Sequence, residues 1–383
     1  MPLATPDPGR WPDPLAWLGV AAAERSAAGL HRVLSPRSAS SELLDLASND
    51  YLGLARDQRV IGAAAAAVAE WGTGSTGSRL VTGTTELHVA LENALAELVG
   101  APAALVFSSG YLANLGAVTA LSGTDCLIVS DAGNHASLVD ACRLSRSRVV
   151  VVAHGDQDAA ARALANRSEL RAMVVLDAVN SADGDLLPLA SWQALAAGYA
   201  ALLVVDDAHG LGVRGGGRGA AAEAGISAEP NVVITVSLSK ALASQGGAVL
   251  GGRPVIDQLI DRARSFIFDT GLNPAAAGAA LAAVRIIRAE PGLAARVLSR
   301  AAQLASLCGV PAGDAAVIPV LIGDAKQAYQ RSVALREFGV RVGCFRPPSV
   351  PAGTARLRLT ARANLSDVDL EQFRQALVAV SPA

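Results

Sequence analysis

Long hydrophobic runs are missing from the sequence. Its apolar stretches, such as Ala275–Val284, are shorter than the roughly 20 residues that a membrane-spanning helix needs, so no transmembrane helix is predicted. The segment Met1–Arg10 is rich in proline and has no basic region followed by an apolar run, so we expect no secretion signal. These absences favour a cytoplasmic protein that does not bind membranes.

Cysteine is also scarce. The four cysteines, Cys126, Cys142, Cys308 and Cys344, lie far apart, and no Cys-x-x-Cys pair occurs. This usage argues against a disulfide framework and is typical of reduced core thiols in a cytoplasmic enzyme. No metal site is predicted.

Neither sign of charge is in clear excess. Lys and Arg number 32 and Asp and Glu 34, which gives a formal net charge of −2, and no block of Lys and Arg stands out. A nucleic-acid partner is therefore not predicted. Because hydrophobic residues make up 51% and charged residues 17% of the chain, intrinsic disorder is excluded as well. The 383 residues are enough for two or three folding units.

The central part of the sequence, residues 104–250, alternates short apolar runs with Ala- and Leu-rich segments that are long enough to be crossover helices. The runs are apolar on every residue, as a parallel strand buried on both faces requires. They comprise Ala104–Phe107, Cys126–Ser130, Arg148–Ala153, Met173–Leu176, Ala201–Val205 and Val232–Val236. This alternation predicts an α/β domain with a mostly parallel sheet, in which ligands bind beyond the carboxyl ends of the strands.

The pattern changes after Pro274. Long helices are predicted at Ala275–Ala289 and Gly292–Cys308. They are followed by strands at Val317–Leu321, Val340–Phe345 and Ala355–Thr360 and by helices at Ala325–Glu337 and Asp367–Val378. We therefore predict three parts, namely an N-terminal segment over residues 1–45 that packs partly on the small domain, a large α/β domain over 46–275 and a smaller α+β domain over 276–383.

Chemically distinctive side chains follow two of the predicted strands. Asp206 and His209 come after one strand, and Lys240 comes after the next. A lysine at a strand end with a carboxylate one strand away is the pair that pyridoxal phosphate requires. The amine forms a Schiff base with the cofactor, and the acid keeps the pyridine nitrogen protonated.

Other strand ends suit the same cofactor. Gly110 and Tyr111 open a helix whose free backbone N–H groups could hold a phosphate. His135 follows the second run and could stack on the pyridine ring, and Ser181 lies after a third strand with a hydroxyl for the phenolic oxygen. Several strand ends are therefore predicted to converge on one molecule of pyridoxal phosphate.

Six segments, in this order, resemble the α-oxoamine synthase family. They are SNDYLGL (Ser48–Leu54), GSTGSRLVTG (Gly74–Gly83), NHASL (Asn134–Leu138), DDAHGLGV (Asp206–Val213), SLSKAL (Ser237–Leu242) and RPPSVPAGTARLRLT (Arg346–Thr360). The resemblance covers the chain from about Leu44 onward and implies a fold-type-I pyridoxal-phosphate enzyme that works as a homodimer.

The resemblance also implies roles for individual residues. Lys240 is similar to the family's Schiff-base lysine, which also serves as the base, while Asp206 is similar to the pyridinium partner. The other implied cofactor residues are Gly110, Tyr111, His135, Ser181, His209, Ser237 and Thr270, the last reaching the phosphate of the neighbouring subunit. The implied substrate residues are Asn49, Ser349, Arg358 and one of His31 and Arg32, with Arg358 holding the amino-acid carboxylate.

The reaction implied by the resemblance is a decarboxylative condensation. The motifs GSRLVTG and RPPSVP favour L-alanine and a pimeloyl thioester as substrates, with release of carbon dioxide and the free thiol, as in biotin synthesis. Whether the thiol is CoA or a carrier protein stays open. So do the related activities of glycine C-acetyltransferase and 5-aminolevulinate synthase, which share the lysine, the aspartate and the histidines.

The sequence departs from the family pattern at three positions and contains two motifs of other protein classes. Asn180 stands where an aromatic residue is more common, and Ser237 and Ser349 replace threonines but keep the hydroxyl. The segment Ser237–Lys240 also fits the Ser-x-x-Lys signature of penicillin-recognising hydrolases, but the partner motifs are missing. Residues 215–220 fit a dinucleotide-binding pattern poorly, because no acidic residue follows at the required distance.

Overall fold

The computed structural model describes residues 13–380, so the segment Met1–Arg10, for which we expect no secretion signal, lies outside the described residues. The described strands are β1 (Leu44–Leu46), β2 (Ala103–Phe107), β3 (Cys126–Asp131), β4 (Arg148–Val152), β5 (Arg171–Asp177), β6 (Leu202–Asp206), β7 (Val232–Ser237), β8 (Gly247–Gly251), β9 (Val317–Gly323), β10 (Val340–Phe345) and β11 (Ala355–Thr360).

The helices begin with α1 (Ala16–Ala27), α2 (Gln58–Trp71), α3 (Glu86–Val99), α4 (Gly110–Leu121), α5 (Ala136–Leu144), α6 (Gln157–Ala165) and α7 (Leu189–Gly198). They continue with α8 (Ala220–Glu223), α9 (Arg253–Arg262), α10 (Arg264–Ile267), α11 (Pro274–Ala289), α12 (Gly292–Leu307), α13 (Ala325–Glu337) and α14 (Asp367–Val380). None of the helices within residues 13–380 combines the length and apolar character needed to span a membrane.

The larger sheet has the strand order β2-β8-β7-β6-β5-β3-β4. Neighbours from β7 to β4 pair in parallel, while β8 is antiparallel to both β7 and β2. All residues of β3, β6 except its first, and β7 are buried, which explains why their sequences are mostly apolar and do not alternate with polar residues. The predicted α/β fold with a mostly parallel sheet is confirmed.

Strand β8 was not predicted. Its sequence Gly-Ala-Val-Leu-Gly is bounded by glycines, which are depleted in strands. The glycine at position 247 is required by packing, since a Cβ there would lie 2.4 Å from the Cα of Gly110. The strand therefore brings its backbone close to the start of α4, which a larger residue would prevent.

The described chain divides into two compact units. The smaller unit contains residues 13–47, Pro319–Leu359 and 371–380, and most of a second sheet of order β1-β10-β11-β9. In this sheet β1 runs parallel to β10, and β11 runs antiparallel to β10. The larger unit contains Ser48–Ile318 and Thr360–Leu370.

This division differs from the boundary expected between residues 275 and 276, because α11 and α12 belong to the larger unit. The helix α11 packs closely on α2, where a Cβ at Gly278 would lie 2.8 Å from the Cβ of Ala67. Small residues on both helices permit this close approach. The amino-acid composition of α11 and α12 gave no indication of which unit these helices join.

Candidate active site

A cavity of about 300 Å³ lies in the larger unit, beyond the carboxyl ends of β5, β6 and β7. The ends of these strands are neighbours in register, since Asp177 pairs with Asp206 and Asp206 with Thr235. The predicted site residues that line the cavity are Gly110, Tyr111, His135, Asp206, His209, Ser237 and Lys240. The structure thus brings together seven side chains or backbone segments that are scattered over 131 positions of the sequence, from 110 to 240.

Asp206 is held by two donors. The side chain of Asn114 donates from Nδ2 to Oδ2 at 2.6 Å, and the backbone N–H of Ala208 donates to Oδ1 at 2.9 Å. Asp206 is buried, and the two hydrogen bonds give each of its carboxylate oxygens a donor. The carboxylate is therefore held in one orientation at the end of β6.

Asn114 connects several polar groups around this carboxylate. It also donates to Oγ of Ser137 at 2.8 Å, and its Oδ1 accepts a hydrogen bond from the hydroxyl of Thr235 at 2.5 Å. Asn114 and Thr235 are both buried, 2% and 1% exposed. Sequence reasoning missed Asn114, although an asparagine in the mostly apolar helix α4 was a signal that could have identified it.

His135 lies at the start of α5 with its ring nitrogen Nδ1 accepting the backbone N–H of Ser137 at 3.2 Å. The same nitrogen lies 2.7 Å from the hydroxyl of Ser137. Burial lowers the pKa of His135, the positive charge of Lys240 acts in the same direction, and Asp206 opposes them. The ring is therefore neutral at neutral pH, and because Nδ1 is an acceptor its proton resides on Nε2.

Asp177 is a second buried carboxyl in the cavity, and the sequence analysis did not assign it a role. Its Oδ1 accepts the backbone N–H of His135 at 3.3 Å. Burial raises its pKa well above the usual range, and the neighbouring Asp206 raises it further, while Lys240 lowers it. The neighbouring ends of β5 and β6 therefore carry two different acids. Asp177 has a raised pKa because it is buried, whereas both carboxylate oxygens of Asp206 accept hydrogen bonds.

His209 is oriented by a tyrosine. Its Nδ1 lies 2.6 Å from the hydroxyl of Tyr51, which in turn donates to Oδ1 of Asn49 at 3.2 Å. Tyr51 is fully buried. The predicted substrate residue Asn49 is thus linked to the predicted cofactor residue His209 through one phenol that the sequence analysis did not single out.

The N-terminus of α4 faces the cavity. Ser109 caps the helix by accepting the N–H of Leu112 at 3.1 Å. The backbone N–H groups of Gly110 and Tyr111 have no partner within the helix, as is general in a first turn. The hydroxyl of Tyr111 donates to Asp140, and this hydrogen bond raises the pKa of Tyr111.

Ser237, Ser239 and Lys240 form the end of β7 and the turn after it. The hydroxyl oxygens of the two serines lie 2.8 Å apart, and the backbone N–H of Ser239 donates to Oγ of Ser237 at 3.2 Å. Lys240 is half-buried at the cavity wall. This turn places the lysine one strand away from Asp206, as the spacing predicts.

The remaining predicted residues do not line this cavity. Ser181 is half-buried after β5, and Thr270 is exposed and pairs with Ser78 in an isolated bridge. In the smaller unit, Nη2 of Arg32 donates to Oγ of Ser349 at 3.3 Å, so these two predicted substrate residues are in contact. The guanidinium of Arg358, also in the smaller unit, lies 5.2 Å from the ring centre of Phe345.

A second polar network lies beside the loop that leads to His135. His154 bridges two carboxylates, with Nδ1 2.7 Å from Asp131 and Nε2 2.7 Å from Asp185. Asp131 also accepts the backbone N–H groups of Gly133 and Gly155. The hydrogen bonds to Asp131 and Asp185 raise the pKa of His154 to about 10, so the imidazole is charged at neutral pH and holds this loop together.

The residues at the cavity fit pyridoxal phosphate. An amine, a hydrogen-bonded carboxylate and the N-terminus of a helix of 12 residues line one space. They match the aldehyde, the pyridine nitrogen and the phosphate of the cofactor respectively. Beside the helix N-terminus the backbone of Gly247 closely approaches that of Gly110, since a Cβ at Gly247 would lie 2.4 Å from the Cα of Gly110.

Comparisons with known proteins agree with this geometry. Residues 41–377 match the family model for aminotransferases of class I and II, and the chain belongs to this family. Curated relatives that it matches include 8-amino-7-oxononanoate synthases. One, from Mycobacterium sp. (strain KMS), is 59% identical over 372 residues, which is 97% of each chain.

Solved structures of serine palmitoyltransferase have the same fold. The enzyme from Sphingomonas wittichii superposes with a TM-score of 0.88 at 31% identity, over 96% of this chain and 99% of that one. A second serine palmitoyltransferase, solved with pyridoxal phosphate, also has a TM-score of 0.88, at 28% identity over the same shares. The cofactor of the present chain is pyridoxal phosphate.

Proposed function

We propose that this chain catalyses the condensation of L-alanine with a pimeloyl thioester, which yields 8-amino-7-oxononanoate, carbon dioxide and the free thiol. The observation that carries the proposal is the single cavity that holds Lys240 and Asp206 one strand apart, in a chain 59% identical over 97% of its length to an 8-amino-7-oxononanoate synthase. The bound cofactor supplies an electron sink that stabilises negative charge at the alanine Cα.

Lys240 and Asp206 have complementary roles in this proposal. The Nζ of Lys240 holds the cofactor and, when alanine replaces it, moves the proton from the alanine Cα. Asp206 keeps the pyridine nitrogen protonated, since its carboxylate is fixed by Asn114 and by the N–H of Ala208. By holding the proton at that nitrogen, Asp206 would enable the bound cofactor to stabilise negative charge at the alanine Cα.

Around this pair, His135 lies against the cofactor ring and His209 hydrogen-bonds its phenolic oxygen. The neutral state of His135 supports the first role, because a neutral imidazole packs on an aromatic ring without the cost of burying a charge. Tyr51 supports the second role by orienting His209. The hydroxyls of Ser181 and Ser237 complete the proposed cofactor contacts.

The phosphate is bound by the N–H groups of Gly110 and Tyr111. In a homodimer, which we also propose, Thr270 contributes a hydroxyl to the phosphate of the neighbouring subunit. The exposure of Thr270 and its absence from the residues that line the cavity support a role at a surface rather than in its own cavity.

Four residues are proposed to bind the substrates, namely Asn49, Ser349, Arg358 and Arg32. Arg358 binds the alanine carboxylate through its guanidinium. Of the two candidates His31 and Arg32, the contact between Arg32 and Ser349 favours Arg32. Asn49 is held by the Tyr51 hydroxyl, which links it to His209.

The proposal is tested by measuring thiol release with L-alanine, glycine and L-serine against pimeloyl-CoA, acetyl-CoA, succinyl-CoA and palmitoyl-CoA. We expect the highest kcat/KM for L-alanine with pimeloyl-CoA. Equal or faster turnover of glycine with acetyl- or succinyl-CoA, or of serine with palmitoyl-CoA, would assign the chain to another activity of the family.

A further inference from the structure

The smaller unit contains a second cavity, of about 670 Å³, more than twice the volume of the first. It lies between the segment of residues 30–36, helix α13 and strand β10, and extends to Ser349. Four arginines line it, at positions 32, 336, 341 and 346, and no aspartate or glutamate is among its lining residues. In a chain with a net charge of −2, this is a local concentration of positive charge.

Three of the four guanidinium groups have neutral partners among residues 13–380. Arg32 donates to Ser349 at 3.3 Å and Arg336 to Ser35 at 2.5 Å. Arg346 donates to two backbone carbonyl oxygens, those of residues 29 and 31, and lies 4.8 Å from the ring centre of Tyr329. In the described part of the chain, no carboxylate lies within ion-pair distance of any of the four.

Arg341 differs from the other three because its side chain makes no hydrogen bond to any described residue. It is half-buried on β10, where it pairs in register with Asp45 of β1 through the backbone. Its guanidinium donors are therefore available to a bound group. Guanidinium forks match the oxygens of phosphate and carboxylate groups.

The wall of the cavity also has apolar parts, formed by Leu30, Val33 and Val333. A ligand with a phosphate and a flexible chain of moderate polarity would satisfy both kinds of surface. A carboxylate alone carries one charge and would leave most of four cations without a counter-charge, whereas CoA carries one charge on each phosphate of its diphosphate and up to two on its 3′-phosphate monoester. The carriers of acyl thioesters, CoA and the phosphopantetheine arm of a carrier protein, have both a phosphate and such a chain.

We propose that this cavity binds the phosphate groups of the acyl carrier, so that Arg336 and Arg341 determine the affinity for the phosphorylated thioester. The inference rests on the proposed function, because it takes a thioester as the substrate. The shared chemistry is the phosphate ester, which occurs both in CoA and in the phosphopantetheine arm of a carrier protein.

The test compares Arg341→Gln and Arg336→Gln with the control Arg331→Gln, which changes an exposed arginine of α13 outside the cavity lining. KM and kcat are measured with pimeloyl-CoA and with pimeloyl-pantetheine, which has no phosphate. For each cavity variant we expect the KM for pimeloyl-CoA to rise about tenfold, the effect of one lost charge-assisted hydrogen bond. The KM for pimeloyl-pantetheine, the KM for alanine and kcat should change less than about twofold.

Two further substrates identify which phosphate is bound. A rise in KM that persists with pimeloyl-3′-dephospho-CoA and with a pimeloyl carrier protein supports binding of the pantetheine phosphate. A rise that is confined to pimeloyl-CoA supports binding of the nucleotide 3′-phosphate. An unchanged KM in both cavity variants overturns the inference, as does an equal rise with pimeloyl-pantetheine, which would assign the arginines to the pimeloyl carboxylate.

The proposed function can fail separately from this inference. If the unmodified enzyme releases no thiol, the cavity is tested by titrating CoA into the holoenzyme in a calorimeter. Binding that is weakened about tenfold by Arg341→Gln and unchanged by Arg331→Gln supports the cavity. Absence of CoA binding, or equal binding to all variants, overturns it.

Discussion

The buried asparagine at position 114 is predicted to stabilise both the fold and the site. In Asn114→Leu, Asp206 loses a charge-assisted hydrogen bond, which is worth about 1.5–3 kcal/mol. The hydroxyl of Thr235 also loses its acceptor, and an unsatisfied buried hydroxyl costs about 1–3 kcal/mol. We expect the free energy of unfolding to fall by about 2.5–6 kcal/mol in total.

The measurement is equilibrium unfolding of the cofactor-free protein in urea, followed by far-UV circular dichroism. Thr235→Val is the partner variant, since it leaves Oδ1 of Asn114 unsatisfied and should cost about 1–3 kcal/mol. The double variant removes both ends of this hydrogen bond. It should be at least as stable as Asn114→Leu alone, so the two losses are not additive.

Strict additivity of the two substitutions, or a loss below about 1 kcal/mol in Asn114→Leu, would refute this account of the network. Cofactor binding provides an independent measurement. Because Asp206 is held in orientation by Asn114, the dissociation constant for pyridoxal phosphate should rise in Asn114→Leu more than in Thr235→Val.

Two other predictions concern the backbone of the site and its pH dependence. In Gly247→Ala the new Cβ would lie 2.4 Å from the Cα of Gly110, so the start of α4 must shift. We expect the free energy of unfolding to fall by about 1–3 kcal/mol and pyridoxal phosphate to bind more weakly in a fluorescence titration. Unchanged binding would contradict the assigned phosphate site. The pKa of His154 is raised to about 10 in the folded chain against about 6.5 when unfolded, so its contribution to stability is complete below pH 6.5 and is lost as the pH rises to 10. The urea midpoint of the unmodified protein should therefore fall relative to that of His154→Gln across this window, and parallel pH profiles of the two proteins would contradict the charged bridge.

The central strands of the larger sheet were predictable because a strand buried on both faces is apolar at most positions, as in β6 and β7. Strand β8 could not be predicted, because its short sequence, which begins and ends with glycine, has no pattern that distinguishes it from a loop. The division into units was also not predictable, since the small residues of α11 suit packing on either unit.

For the site, residues at the ends of predicted strands could be identified from their chemistry, as for Asp206 and Lys240. Residues that contact the site from elements other than these strand ends could not be identified in this way. Asn114 contacts Asp206 across 92 positions of the sequence, and Tyr51 contacts His209 across 158. Such contacts depend on how α4 and the segment after β1 are placed by the fold, which local patterns do not encode.

The central claim is that the amine at position 240 holds the cofactor. The chain has two lysines, Lys240 and Lys326, so the attachment site can be read without ambiguity. The holoenzyme is reduced with borohydride and digested, and the mass of each lysine peptide is measured. We predict that the reduced cofactor is attached to the peptide of Lys240 alone and that Lys240→Ala lacks both the visible absorbance and turnover; a label on Lys326, or turnover retained in Lys240→Ala, would contradict the account.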